Sequence, residues 1–473
     1  MKTKNGANMK YSTGNPLVEF FSKAGSLMKK TKSFYGQGSE ATALDLFYNA
    51  WAMDRVKAFK LALWLRDARS GAGNRSASRE IFNFMAEQAP EWVELNFDLI
   101  PQYGRWDDLS CFVGTSLEDA AIAYWSTAIL NKDGLANKWA PRENKKDKSV
   151  AKLLRTKMGF SPKEYRQHLS ANTSVVETQM CSNNWNEISY SGVPSLAMAR
   201  YGKAFKTKDA TRFSSFLEKV ADPDSSEKIN ATTLFPHDVY RTYKAGQTGV
   251  ANAQFKALPD FFETGMRVMP IVDTSGSMVT MVSGSISAMD IAISLAMYCS
   301  DRLGSENPFY KKFIPFSGEA TFVDWKAQPD FSSGVNFFRQ SPWFGKICST
   351  NINSAFKLLL DTASFLNVTS EQMPNVIIII SDMQFNQGCS ASNKTEVQAL
   401  LEVWASMGYE VPKVLYWNTA GYAGSPDDVF SPNIGLVSGF SPSILSSVFG
   451  SEEFTPEAIM NKALERYEVK MIL

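Results

Sequence analysis

Apolar residues recur at helical spacing through the first half of the chain and form short continuous runs through the second. Within residues 43–53, for example, they fall three or four positions apart, which places them on one face of a helix. Comparable patterns predict further helices over residues 76–88, 117–130, 149–157 and 207–220. Short turns separate many of these segments, so the pattern predicts an all-α domain of stacked, HEAT-like helix pairs. The polar run at 131–148 predicts a long loop within it.

Around residue 266 the pattern changes, because short apolar runs begin to alternate with helical segments. The runs that predict strands are 269–272, 311–316, 322–325, 375–381, 413–417 and 434–440. Near-continuous apolar strands between helices are typical of a parallel sheet that is covered on both faces. We therefore expect two domains: an α-helical domain over 1–265 and a doubly wound, Rossmann-like α/β domain over 266–473.

Composition narrows the class of protein. The 473 residues are 44% hydrophobic and 21% charged, which is typical of a soluble globular protein. The first residues lack the layout of a signal peptide, and no window approaches the roughly 20 apolar residues of a membrane span. The five cysteines are scattered and form no C-x-x-C pair, which favours a reducing compartment. We expect a cytoplasmic protein with no membrane partner.

The net charge of +1 hides a difference between the two halves. Residues 1–265 contain 36 Lys and Arg against 28 Asp and Glu, whereas residues 266–473 contain 13 against 20. Such asymmetry indicates either different partners for the two halves or simple attraction between them. The charge pattern leaves both interpretations open.

Oxygen-bearing side chains follow three of the predicted elements in the second half. Asp273, Ser275 and Ser277 come directly after the first strand, Thr350 precedes a helix, and Asp382 follows the run at 375–381. Loops at the carboxyl ends of parallel strands converge on ligands. Carboxylate and hydroxyl oxygens are the ligands that Mg²⁺ or Mn²⁺ prefers. The sequence therefore predicts a metal site.

A phosphatase offers an alternative explanation of the first loop. Phosphatases that use an aspartate nucleophile carry a second acid two residues later, but position 275 is serine. A nucleophilic Ser275 would need a base, and the two histidines, His168 and His237, lie in the other half of the chain. The pattern favours metal binding without turnover, so we predict that the protein is not an enzyme.

Three motifs resemble the loops of a known metal site. "DTSGSM" (273–278), "STN" (349–351) and "SDMQF" (381–385) are similar to the metal-ion-dependent adhesion site (MIDAS) of von Willebrand factor A (VWA) domains. The resemblance implies that Asp273, Ser275, Ser277, Thr350 and Asp382 hold the metal directly or through water. It also implies that an open coordination position accepts an acidic side chain from a protein ligand.

The helical half has a likeness of its own. "LALWLRDARSGAGNRSASREIF" (61–82) and "LIPQYGRWDDL" (99–109) resemble the TROVE module of Ro autoantigen-like proteins, a HEAT-like helical ring closed by a VWA domain. They are closer still to largely uncharacterised plant, fungal and viral proteins of the same plan, with further landmarks at 175–198 and 228–240. The resemblance implies a ribonucleoprotein scaffold that binds single-stranded RNA ends in the ring and structured small RNA on its basic outer face.

Basic residues in one helix–loop–helix segment are the candidates for RNA binding, because phosphate binding needs Lys and Arg on one surface. They are Lys57, Lys60, Arg66, Arg69, Arg75, Arg79 and Arg105. Residues 51–100 nevertheless contain seven acidic residues against seven basic ones. A structural role is therefore the competing interpretation, in which Arg66 and Arg105 pair with aspartates at turns between helices.

These observations rank three functions. The first is a non-enzymatic, Ro-like RNA-binding scaffold or RNA chaperone whose VWA module binds a divalent metal and recruits an acidic protein ligand. The second is a metal-dependent protein-interaction or assembly factor that binds no RNA. The third, a metal-dependent phosphohydrolase, has the predicted metal but lacks a base.

Overall fold

The structure is a computed structural model that describes residues 8–10, 12–27, 42–144, 147–173, 175–222, 224–262, 265–283, 286–341, 350–385, 395–419, 426–427 and 433–471. Over these residues an all-α first half precedes an α/β second half with a mostly parallel sheet, so the predicted fold class is confirmed. The three described cysteines, Cys111, Cys181 and Cys299, are free. Ser349 of the "STN" motif, Cys348 and Cys389 lie outside the described residues.

Fifteen α-helices are described in the first half. They are α1 (Pro16–Ala24), α2 (Ala43–Met53), α3 (Arg55–Arg66), α4 (Arg75–Gln88), α5 (Pro90–Leu95), α6 (Leu99–Tyr103), α7 (Glu118–Leu130), α8 (Gly134–Trp139), α9 (Lys148–Lys157), α10 (Pro162–Ala171), α11 (Val176–Cys181), α12 (Ser195–Lys208), α13 (Ala210–Ala221), α14 (Pro236–Lys244) and α15 (Thr248–Lys256). Many begin at a capping side chain; Asp54, for instance, accepts the Lys57 amide at the start of α3.

Two helix predictions in this half are wrong in detail. The helix expected over 207–220 is two helices, because α12 ends and α13 begins at Asp209. The loop expected over 131–148 contains α8. Asp133 caps α8 by accepting the Leu135 and Ala136 amides, and the Trp125 indole donates to the Ala136 carbonyl. Such contacts with α7 favour a helix that the polar sequence does not indicate.

The second half is built around a six-stranded sheet. Its elements are β1 (Val268–Asp273), β2 (Met281–Ser283), β3 (Ile286–Ser287), α16 (Ala288–Asp301), β4 (Lys312–Phe316), β5 (Val323–Asp324), α17 (Phe331–Arg339), α18 (Ile352–Phe365), β6 (Val376–Ser381), α19 (Glu396–Ser406), β7 (Lys413–Asn418), β8 (Ile434–Ser438), α20 (Ile444–Phe449) and α21 (Pro456–Leu464).

The strand order of the sheet is β5-β4-β1-β6-β7-β8, and β2 pairs with β3 in a separate hairpin. The pairs among β4, β1, β6, β7 and β8 are parallel. The run at 322–325 was expected to belong to the parallel sheet, but only Val323 and Asp324 pair, and they pair antiparallel to β4 at the edge. Asp324 is exposed at this edge of the sheet.

Both faces of the sheet are buried, which explains why β6 reads as an unbroken apolar run. Ile377 and Ile379 pack with residues of α18 and α19 in one hydrophobic cluster. Ile378 and Ile380, which point to the other face, belong to a cluster that continues into the helical half. One face of the sheet therefore shares its core with the first half of the chain.

The helical half contacts the α/β half at both of its ends. At its start, the Ser438 hydroxyl of β8 donates to the Phe21 carbonyl at 2.8 Å and accepts the Gly25 amide at 3.0 Å. At its end, α14 packs on α16, and the His237 ring lies 5.7 Å from the Phe440 ring. The helices thus leave and return to the same α/β half, as the predicted ring-shaped arrangement requires.

The C-terminal segment 465–471 crosses back onto the helical half. The Trp92 indole donates to the Lys470 carbonyl at 2.6 Å, and the Tyr467 hydroxyl lies 3.1 Å from a carboxylate oxygen of Asp67. The Asn96 amide group and the Lys470 main chain exchange two further hydrogen bonds. This segment fixes α3 and α5 against the second half.

None of the described helices has the length and apolarity that a membrane-spanning helix requires.

Gly25 tests the junction between α1 and β8. A Cβ atom built at this position would lie 2.7 Å from the Ser438 carbonyl oxygen, so Gly25→Ala should lower the free energy of unfolding by about 1–3 kcal/mol through overpacking. Gly249→Ala in α15 is the control, because its Cβ would meet only the Leu217 side chain at 3.5 Å. Urea unfolding measures both, and equal stability of the two variants would contradict the expectation.

Candidate functional site

The predicted metal ligands lie where the sheet changes direction. The chain runs from β1 outward to β4 and β5, then crosses back to place β6 on the other side of β1. Ligands bind at such a switch point, beyond the carboxyl ends of the strands. Asp273 is the last residue of β1, and Asp382 follows the last residue of β6. The parallel pairing of these two strands brings the two aspartates to one place.

Asp273 is fully buried and is held by two hydrogen bonds. Its Oδ1 accepts the Ser275 amide at 2.8 Å, which forms the turn that follows the strand. Its Oδ2 accepts the Ser381 hydroxyl at 2.6 Å, which connects the carboxyl ends of β1 and β6. The carboxylate orientation is therefore fixed by both strands.

The two serines of the first loop point their hydroxyls at each other. The Oγ atoms of Ser275 and Ser277 lie 3.2 Å apart, and Ser277 lies in a short 3₁₀ helix, Gly276–Val279. Neighbouring oxygens around octahedral Mg²⁺ are about 3 Å apart, since each Mg–O bond is about 2.1 Å. The separation of the two hydroxyls suits adjacent positions on one metal ion.

A strained residue supports Asp382. Met383, next to it, has a φ of 66°, in the left-handed region that non-glycine residues rarely adopt. Its amide donates to the Ser381 hydroxyl at 2.9 Å, and Asp382 Oδ1 accepts the Gln384 amide at 3.1 Å. A backbone conformation of this kind costs about 1–3 kcal/mol and occurs often at functional sites.

Thr350 is buried at the start of α18 and is joined to the site through the loop after β4. The next residue, Asn351, donates its amide to the Ser317 carbonyl at 2.8 Å. The residue before Ser317, Phe316, is the register partner of Asp273 and accepts hydrogen bonds from the Thr274 amide and hydroxyl. The loop that contains Thr350 thus borders the first predicted loop.

The electrostatics of the site favour a cation. Burial, and then the charge of Asp382, raise the pKa of Asp273 to about 7. Two buried like charges repel each other, and a divalent cation offsets this repulsion. The described residues contain no group of three or more His, Cys, Asp and Glu side chains placed to hold a metal. A site here would consist of two carboxylates and three hydroxyls, a donor set that fits Mg²⁺ or Mn²⁺.

Two supporting residues lie outside the predicted ligand set. Ser381 bridges the two strands, and Thr419, after β7, donates both its amide and its hydroxyl to the Ser381 carbonyl at 3.1 and 3.3 Å. Ser381 is recognisable in the sequence as a hydroxyl beside a predicted ligand, but Thr419 carries no such signal. Both residues are fully buried, so their role is to position the ligands.

Four of the seven predicted RNA-binding residues surround two aspartates. Asp108 is fully buried, and its two carboxylate oxygens contact Arg66 Nε at 2.6 Å, Arg79 Nε at 2.8 Å and Arg75 Nε at 3.2 Å. Burial would raise the pKa of Asp108, but the three arginines outweigh it, so that its pKa is lowered. These contacts support the structural interpretation of the arginines.

Asp107 pairs with two of these arginines and with Arg105, on the more exposed side of the cluster. Arg105 approaches it at 3.0 Å and Arg79 at 3.5 Å, and Arg75 also pairs with it. The Arg105 guanidinium lies 3.9 Å above the Trp139 ring, in a cation–π contact. We call Arg66, Arg75, Arg79, Arg105, Asp107 and Asp108 the arginine cluster.

The other three candidates lie outside this cluster. Lys57 and Lys60 are half-buried on α3, and Arg69 is exposed and donates to the Gln102 carbonyl at 3.3 Å. Of the seven predicted RNA-binding residues, four therefore form ion pairs within the arginine cluster, and three lie outside it.

Comparisons with known proteins cover nearly the whole chain. Residues 267–471 match a family described as Domain of unknown function (DUF7788), and residues 128–260 match Domain of unknown function (DUF2828). Uncharacterized protein L728 of Acanthamoeba polyphaga mimivirus is 24% identical over 98% of this chain and 87% of its own length. The Ro (RSR) protein of Deinococcus radiodurans is similar over 96% of this chain and 100% of its own, with a TM-score of 0.47 and 13% identity. The viral relative agrees with the predicted likeness to uncharacterised viral proteins.

Asp108 should be the most important side chain of the arginine cluster for stability. Asp108→Ala leaves Arg66, only 5% exposed, without its carboxylate and should lower the free energy of unfolding by about 3–5 kcal/mol. Asp107→Ala should cost less, because Asp107 is 23% exposed.

Acid distinguishes this electrostatic role from simple packing. Because the folded-state pKa of Asp108 is lowered, its stabilisation is present above the ordinary value of 3.8 and is lost as the pH falls through the folded-state value. Urea unfolding at neutral and at strongly acidic pH should therefore show a smaller difference between wild type and Asp108→Ala in acid. An equal difference at both would contradict the ion-pair explanation.

Proposed function

We propose that this chain is a non-enzymatic, Ro-like scaffold whose α/β half binds Mg²⁺ or Mn²⁺ and recruits a protein ligand through an acidic side chain. One observation carries the proposal. The loops after β1 and β6 meet at the switch of the sheet, where the Ser381 hydroxyl donates to Asp273 and the charge of Asp382 helps to raise the pKa of Asp273. In the same loop as Asp273, the Ser275 and Ser277 hydroxyls lie 3.2 Å apart.

The charge of the donor set supports recruitment. Two carboxylates supply a charge of −2, which balances but does not exceed the charge of a divalent cation. The hydroxyls add oxygen atoms without adding charge, which leaves the metal able to attract one more carboxylate at an open position.

The contacts of Ser275 argue against the phosphohydrolase alternative. Its hydroxyl contacts that of Ser277 and the Asp273 carboxylate, and that carboxylate is itself a predicted metal ligand rather than a free base. The two histidines are engaged in the helical half: His168 contacts the Ile129 carbonyl, and buried His237 packs against Phe235 and Phe440. A nucleophilic mechanism needs a base within hydrogen-bonding distance of the hydroxyl.

Metal binding is tested by thermal unfolding and calorimetric titration with Mg²⁺ and Mn²⁺. The free energy of unfolding of the wild type should rise by about 2.7 kcal/mol at a metal concentration one hundredfold above the dissociation constant. Asp273→Asn should not be stabilised by metal. In the absence of metal it should be at least as stable as the wild type, since it removes a buried like charge beside Asp382. Asp324→Asn, at an exposed acid of the same domain, should keep the full gain.

Recruitment is tested with a short aspartate-containing peptide and the same peptide carrying asparagine. Only the first should bind, and only when Mg²⁺ or Mn²⁺ is present; chelator or Asp273→Asn should abolish the binding. Metal binding without any preference for the acidic peptide would leave the metal site in place but remove carboxylate recruitment from the proposal.

RNA binding by the helical half is the second candidate function. It is supported by the excess of eight basic residues over 1–265 and by the arginine cluster, in which four guanidinium groups face two carboxylates. RNA affinity should fall steeply with salt, because each neutralised phosphate releases counterions. Gel shifts with single-stranded and structured RNA at increasing salt measure this, and the absence of any shift at low salt would favour the assembly factor without RNA.

A further inference from the structure

An open groove borders the arginine cluster on the α4 side. It has a volume of about 600 Å³, within the range of sites for small ligands. Its lining includes Arg75, Ser76 and Arg79 from successive turns of α4, together with Asn83 and Glu80. Arg75 and Arg79 are four positions apart, so they lie on one face of the helix.

The groove side of the cluster carries uncompensated positive charge. The four guanidinium groups of the cluster share two carboxylates, and among the described residues Glu80 is the only acid that lines the groove. The proximity of Arg75 contributes, after burial, to a lowered pKa of Arg105, which reflects repulsion between the two cations. An anion in the groove reduces this repulsion.

The aspartates orient the guanidinium groups of Arg75 and Arg79 but use only some of their hydrogen-bond donors. In both Arg75 and Arg79, Nε and Nη2 are used in contacts with Asp107 and Asp108. Within the described part of the chain, Nη1 of neither arginine makes a hydrogen bond. The two side chains are 39% and 26% exposed, so these donors are accessible from the groove.

Asn83, one turn beyond Arg79 on the same face of α4, offers a complementary acceptor. The side-chain oxygen of Asn83 is buried and has no hydrogen-bond partner among the described residues. A buried acceptor without a partner costs about 1–3 kcal/mol unless a ligand or water donates to it. A ligand that combines an anionic group with a hydroxyl donor, as a nucleotide does, can contact both the two arginines and Asn83.

We propose that this groove binds a phosphate group between Arg75 and Arg79, and that the group belongs to the backbone of an RNA strand. Guanidinium groups held in a fixed plane bind phosphate oxygens through paired, charge-assisted hydrogen bonds. The inference rests on the second candidate function for the identity of the ligand, whereas phosphate binding itself is testable without RNA.

Ser76 allows the groove to be blocked without breaking the cluster. Ser76→Glu places a carboxylate beside both arginines, at the second position of α4, where an acidic residue also stabilises the helix. Ser149→Glu is the matched control, since Ser149 is exposed at the second position of α9, away from the groove. Glu80→Gln provides the opposite change by removing the acid from the lining.

Pyrophosphate binding to the full chain, measured by calorimetry, tests the groove. Ser76→Glu should weaken binding at least about tenfold, the equivalent of one lost charge-assisted hydrogen bond. Glu80→Gln should tighten it about two- to threefold, and Ser149→Glu should match wild type. Thermal unfolding confirms that each variant is folded. No binding by wild type, or equal binding by wild type and Ser76→Glu, would overturn the proposal.

A single-stranded RNA then identifies the source of the phosphate. If the groove holds one backbone phosphate, the salt dependence of log affinity should flatten by about 0.7 in Ser76→Glu but not in Ser149→Glu. RNA binding that is unchanged in Ser76→Glu would exclude the groove while RNA binding elsewhere stands. Pyrophosphate binding without RNA binding would support the phosphate site and refute the RNA function.

Discussion

The parallel pairing of β1 with β6 is the constraint on which the rest of the α/β half depends. β1 is buried along its whole length and has parallel neighbours on both sides, so its direction determines where the strands of the sheet end. Because β6 lies beside it, residues more than one hundred positions apart in the chain meet as Asp273 and Ser381. The same pairing places Ile378 and Ile380 on the face that shares its core with the helical half. A shift of β6 by one residue would exchange its two buried faces and separate the aspartates.

The two candidate sites have a common physical character, because each concentrates charge of one sign. In the α/β half, two buried carboxylates lie close enough for the pKa of one to be raised by the other. In the helical half, four guanidinium groups gather around two carboxylates. In each site, repulsion between like charges lowers the stability of the folded chain when no ligand is bound. The electrostatics therefore favour a bound cation at the site in the α/β half and a bound anion at the arginine cluster.

Much of the fold follows from the local pattern of residues, and the departures have identifiable causes. The strands β1 and β6 are apparent as apolar runs because both of their faces are buried. The loops after them are apparent because their polar side chains follow those runs at once. In contrast, α8 depends on hydrogen bonds that join it to α7, from Trp125 to the Ala136 carbonyl and from Asn137 to the Ile129 carbonyl, and a polar sequence gives no indication of them. The left-handed conformation of Met383 also cannot be predicted from the sequence, because methionine has no preference for it. The pairing of Arg66 and Arg105 with aspartates was foreseen as one of two interpretations, but the share of Arg75 and Arg79 in it depends on how α4 packs.

The return of the C-terminal segment to the helical half has a consequence for the order of events during synthesis. Trp92, Asn96 and Asp67 emerge from the ribosome long before residues 467–470, which supply their hydrogen-bond partners. Domains of most proteins fold as units while translation proceeds. Here α3 and α5 lack these partners until residues 467–470 are synthesised, so this part of the helical half is completed only together with the α/β half.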